Sequence, residues 1–269
     1  MCLIAKKRSV LAVVVICMWG AISALSQEKQ KQPNAQEKLK QTCSSIKSGE
    51  ITNPPSQLVS TCQALEDEQS KKEAQVKEQN QFLAGKYCGA PWAPDSPQIA
   101  RVRKLIPRIG PTISRQYPGQ KITYLTVSSP TVNAWTIVGK TSSLVCLPTA
   151  IVDLMSSEGE LAFIMGHETG HAVDDACKGH SKQDKVLQRA CESRADAVGF
   201  DLMIKSGFSA YDAGAAFGKL EMYSGDIDTG PSSRLQALSK DHPMTPDRVQ
   251  HMRNMLKQYN QVIRGPLAR

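Results

Sequence analysis

The spacing of apolar residues along the chain divides it into three parts. In residues 1–26, Lys6, Lys7 and Arg8 precede an apolar run from Val10 to Trp19 that closes on Ala24-Leu25-Ser26. A positive start, a short apolar run and a small-residue site read as a cleaved secretory signal, and the run is short for a membrane span. Residues 27–95 are polar, with QEKQKQPNAQEKLKQ and EDEQSKKEAQVKEQNQ relieved only by Leu39, Ile46, Leu58, Val59, Leu65, Val76 and Phe82. Such a stretch buries little apolar surface and reads as solvated helix or partial disorder. After the turn-rich GAPWAPDSP connector, residues 96–269 carry strong periodicity.

Within that third part, Ile99, Val102, Leu105, Ile106 and Ile109 predict a helix that Pro107 kinks or ends. Three β-branched or aromatic runs follow, ITYLTV from Ile122, VNAWTIV from Val132 and SLVCL from Ser143. Separated by short turns, they predict a small antiparallel sheet. A helix is next, with Leu161, Ile164, Met165, His171 and Ala172 on one stripe and Ser157 and Glu160 at capping-box spacing. Ala197, Val198, Phe200, Leu202 and Met203 mark a second helix, and Tyr211, Ala215, Leu220 and Met222 a third over Ser209–Tyr223. The loop GDIDTGPSS then leads to Leu235, Leu238 and HPMTPDR. The class is α+β and mainly helical.

Composition changes this picture in two ways. The formal charge of +8 falls to about +5 without the three positive charges of the signal. Charge runs of alternating sign, and no basic stripe with aromatics, argue against a nucleic-acid partner. Of the eight cysteines, the signal takes Cys2 and Cys17. Val14, Val15 and Ile16 before Cys17 are not a lipidation signal. Cys43, Cys62, Cys88, Cys146, Cys177 and Cys191 remain, and an even number behind a secretory signal predicts disulfides that sequence alone does not pair. Neighbourhood suggests Cys43 with Cys62 across a helical hairpin, Cys177 with Cys191 between two helices, and Cys88 with Cys146.

The chemistry concentrates in ELAFIMGHETGH, residues 160–171. His167 and His171, four apart on a helix, project from one face and can share one metal ion. Glu168 then stands beside the open position, where a carboxylate can take a proton from water and pass it to a leaving amine. A third ligand is offered by Glu192 in CESRAD, and Asp196 lies one turn on, suited to hold the far nitrogen of a ligating histidine. The plainer reading of Glu192 and Asp196 is an acidic face paired with Arg189 and Arg194.

HETGH, ESRAD, GFDLMIKSGFSAYDA and HPMTPDR, in that order and preceded by VNAW, resemble the gluzincin metallopeptidases, the family that includes HtpX and the CAAX prenyl endopeptidase. The likeness covers about residues 98–269. It implies a zincin-like domain over 96–269, one Zn2+ per chain on His167, His171 and Glu192, Glu168 as general base, and endopeptidase activity. It also places peptide-substrate contacts at Asn133 and Ala134, where an edge strand can pair with an extended chain. His242 has two roles open to it, donor to a developing oxyanion or fourth metal ligand, and Arg248 can fix that loop by pairing with a carboxylate. His180 and His251 have no such context and are expected at the surface.

The resulting expectation is a secreted or periplasmic zinc endopeptidase. Its partners are polypeptide substrates, unfolded or misfolded envelope proteins, with peripheral envelope association and no transmembrane span in the mature chain. The alternative is a zinc-containing chaperone-like module that binds without turnover. VCLP at Cys146 also resembles peptide deformylase, which would imply a cysteine among the metal ligands; that reading leaves Glu192, Asp196 and HPMTPDR without a purpose.

Overall fold

The computed structural model describes residues 34–177, 184–225 and 242–264. The expected signal, His180, Leu235, Leu238 and all but the first residue of GDIDTGPSS lie outside the described residues. Two compact units divide the chain, Met1–Lys72 and Glu73–Arg269. In the first, α1 (Ala35–Lys47) opens with a capping box in which Asn34 and Glu37 hold each other's backbone N–H groups. Helix α2 (Ser56–Leu83) starts in this unit, and Cys62 within it is bonded to Cys43 of α1.

In the second unit α2 ends in a π-helical turn, Ala84–Cys88, whose Cys88 is bonded to Cys146. Helix α3 (Pro97–Gln116) begins where the Ser96 hydroxyl accepts from the N–H of Ile99 and Pro97 takes the first turn. It runs through both Pro107 and Pro111 rather than ending at the first. Both prolines are exposed while Val102, Leu105, Ile109 and Ile113 face the core. A carbonyl left without its partner on that side meets water, so the usual objection to an interior proline is weakened.

The sheet joins β1 (Lys121–Val127), β2 (Trp135–Ile137) and β3 (Ser142–Pro148) in the order β1-β3-β2. β2 and β3 form an antiparallel hairpin, but β1 and β3 run parallel, with Tyr124 beside Val145. The sheet is therefore mixed, not wholly antiparallel as expected. Residues 128–134 carry the chain back past the end of β1, which lets the β2–β3 hairpin insert β3 next to β1. Val132–Ala134 is this return path and not strand, so β2 is shorter than its sequence suggests.

Helix α4 (Thr149–Leu154) leads into α5 (Glu158–Val173), which carries HETGH. The Ser157 hydroxyl accepts from the N–H of Glu160 at 3.0 Å. Glu160 does not complete the box; its carboxylate accepts from the N–H of Ser156 and from Lys219. A short turn, Asp175–Cys177, and the Cys177–Cys191 disulfide tie α5 to α6 (Lys185–Lys205), which Asp184 caps by accepting from the N–H groups of Val186 and Leu187. Helices α7 (Ala210–Gly225) and α8 (Pro246–Arg264) complete the unit. On α7 the core-facing residues are Ala210, Ala213, Ala216, Phe217 and Leu220, while Tyr211, Ala215 and Met222 are exposed. Of the expected stripe only Leu220 faces the core; Phe217 and three alanines join it there in place of Tyr211, Ala215 and Met222. Among the described residues no helix is long and apolar enough to cross a membrane.

Candidate metal centre

The centre lies where α5 crosses α6, and glycines permit the crossing. A Cβ on Gly166 would sit 2.9 Å from Cα of Gly199, and one on Gly170 would sit 2.7 Å from Cα of Ala195. A Cβ on Gly199 would sit 2.7 Å from the backbone nitrogen of His167. Backbones so close bring the short Glu192 side chain of α6 up to the histidines of α5. These glycines escaped the sequence reading, although Gly166 just before HExxH and Gly170 within it, one turn apart, are a legible sign of close helix contact.

The expected ligands converge. Nε2 of His171 is 3.2 Å from Nε2 of His167. The Glu192 carboxylate spans the two rings, Oε2 at 3.5 Å from His167 and Oε1 at 3.4 Å from His171. Nδ1 of His242 joins them at 3.4 Å from Nε2 of His167. One donor atom from each of these four residues lies within 4.8 Å of the others. Donors held about 2.0–2.1 Å from a common centre in a tetrahedron are separated by about 3.3 Å, so the distances among His167, His171 and Glu192 fit a small tetrahedrally ligated ion.

Beneath the donors a buried charge network sets their orientation. His167 donates from Nδ1 to Asp196 Oδ1 at 2.9 Å, which orients the ring and turns Nε2 towards the other donors. Arg248 holds the same carboxylate with two bonds, Nε to Oδ2 at 2.8 Å and Nη2 to Oδ1 at 2.7 Å, and its Nη1 reaches Glu192 Oε2 at 3.1 Å. Arg248 also donates to the carbonyl of Pro243, fixing the segment that carries His242. The plainer reading of Glu192 and Asp196 fails here: Arg194 turns away to Asp174 at 2.6 Å.

The centre draws positive charge. Burial would raise the Asp196 and Glu192 carboxyls, but hydrogen bonds and charges from His167, Arg248 and His242 hold both below the usual carboxylate range. Burial opposes the His167 cation, yet the bonds to Asp196 and Glu192 outweigh it and raise its pKa to about 10. In His171 burial and the neighbouring His167 act together and lower the pKa to about 4, so this ring offers a free lone pair. His242 is raised despite burial, by Glu192 first. It donates from Nδ1 to Glu192 Oε2 at 3.0 Å and from Nε2 to the carbonyl of Ala134 at 3.1 Å.

Glu168 stands beside the cluster but outside it, with Oε1 3.7 Å from Nε2 of His242. Its other oxygen accepts from the hydroxyl of Thr136 on β2 at 2.7 Å, a contact without a sequence signal. Asn133 and Ala134 are buried against the site and border a narrow cavity of about 20 Å³ with Ile164, Leu220 and Met244. A wider pocket of about 260 Å³ opens on the other side, between Trp135, Thr136, Val138 and the Cys177–Cys191 disulfide. Cys146 is bonded to Cys88, which removes the deformylase-like reading. His251 is half-buried rather than exposed.

An HExxH helix crossed by a carboxylate-bearing helix, with a third histidine closing the cluster, belongs to the metallopeptidase class. The sequence model of peptidase family M48 matches residues 99–183 and 181–256, more than half the chain, and the chain belongs to that family. No curated protein matches it.

Proposed function

We propose that this chain is a zinc-dependent endopeptidase acting on secreted or envelope polypeptides. The observation that carries the reading is the meeting of His167, His171 and Glu192 donors at tetrahedral spacing, with the Glu168 carboxylate alongside. A zinc ion at that point would supply an electrophile that acidifies water and polarises a peptide carbonyl. His167, His171 and Glu192 would hold it, oriented by Asp196 and Arg248. Glu168 accepts the proton of the attacking water and returns it to the leaving amine. His242, with Nε2–H at the carbonyl of Ala134, the residue just before strand β2 where substrate is expected, is suited to donate to the developing oxyanion. Main-chain pairing along β2 would hold an extended peptide without demanding particular side chains, which favours unfolded substrates. Three disulfides support an oxidising compartment.

The test is cleavage of a reduced, alkylated model protein by the oxidised chain, before and after chelation and with Glu168→Gln in parallel. Cleavage lost on chelation, restored by zinc and absent in the zinc-loaded variant supports the reading. Zinc-loaded wild type that binds but never cuts unfolded protein would favour the binding module instead.

A further inference from the structure

We propose that Thr136 is the positioning residue for Glu168, its hydroxyl tethering one carboxylate oxygen so that the other is presented to the site. The inference rests on the reading of Glu168 as proton acceptor. Thr136 is the central residue of β2, paired with Val145 of β3. Its neighbours Trp135 and Ile137 pack on the opposite face of the sheet, against the cluster of Leu144 and Cys146. The alternation of a strand therefore aims Thr136 at α5.

Its Oγ1 lies 2.7 Å from Glu168 Oε2 and 2.8 Å from the Glu168 backbone oxygen. One hydroxyl proton faces two acceptors, and the ionised carboxylate draws it more strongly. The backbone oxygen shares that proton as the weaker acceptor of a three-centre bond, which registers the hydroxyl with the turn of α5 that carries Glu168. A β-branched residue in a strand has few side-chain rotamers, which fixes the hydroxyl before substrate arrives. Packing alone does not call for that oxygen, because valine has nearly the same shape. With Oε2 engaged, Oε1 is left on the side of His242, 3.7 Å from Nε2. Thr136 also borders the wider pocket together with Glu168, His171, Glu192 and His242. The proton acceptor is thus held from the strand that is expected to hold substrate.

The experiment compares Thr136→Val and Thr136→Ser with wild type for kcat, KM and zinc content on a quenched peptide. It adds Tm values for Thr136→Val alone and combined with Glu168→Ala. The expected result is a kcat reduced about tenfold in Thr136→Val with KM and zinc unchanged, and most of the rate returned in Thr136→Ser. Equal kcat in wild type and Thr136→Val overturns the proposal, as does a Thr136→Ser variant no better than valine. If wild type does not cleave, the peptidase reading fails and the Tm cycle decides the tether. A larger fall for Thr136→Val with Glu168 present than with Glu168→Ala upholds it, and equal falls overturn it.

Discussion

Helices α2 and α5 are held in opposite ways. Of the 16 residues of α5, 13 are buried, whereas Cys62 is the one buried residue among the 28 of α2. α5 contains Gly166 and Gly170, poor helix formers, and stays helical because its neighbours leave it no alternative. α2 is built from Gln, Lys, Glu and Ala, with the i,i+4 pairs Glu68–Lys72 and Gln63–Asp67 and a disulfide at one end. The first helix is specified by tertiary packing and the second by local preference. Substitutions in α5 should therefore be felt at the site and in global stability, and those in α2 only locally.

The largest effect expected is in Glu168→Gln, which should lower kcat by about 10²–10⁴-fold with zinc content unchanged, measured by initial rates and metal analysis. Next is Gly199→Val, which forces a side chain against the backbone of His167 and should cost about 3 kcal/mol in denaturant unfolding, with loss of zinc. Asp196→Asn keeps the shape but weakens the orientation of His167, and should reduce zinc affinity about 10- to 100-fold in a competitive chelator titration. Removing the Cys43–Cys62 bridge by paired serines should lower protection of amide hydrogens in α1 and the start of α2, leaving kcat and KM as they were. Ala74→Gly, at an exposed position of α2, should cost about 1 kcal/mol of local helix stability and nothing in activity. A loss of cleavage in either of the last two would break the division between the helices.

Much of the site was legible because its chemistry is written in fixed spacings along two helices. His167, Glu168 and His171 share one helix, and Glu192 and Asp196 lie one turn apart on the other. Arg248, expected to pair with one carboxylate and fix its loop, pairs with two, Asp196 and Glu192, and holds the Pro243 carbonyl. What the sequence did not disclose depends on contacts between distant segments. Thr136 reads as an ordinary strand threonine until β2 is laid on α5. The parallel pairing of β1 with β3 depends on the path of residues 128–134, which no periodicity encodes. The unbroken α3 depends on which side of the helix Pro107 and Pro111 occupy, and the core face of α7 on alanines whose small size hides their burial.

The central claim is that the donors of α5 and α6 hold one zinc ion. Anomalous diffraction from zinc-loaded crystals, collected on both sides of the zinc absorption edge, tests it directly. The account predicts one peak per chain, about 2.0–2.2 Å from Nε2 of His167, Nε2 of His171 and a carboxylate oxygen of Glu192. A zinc peak elsewhere, or none at these residues at saturating zinc, would contradict it.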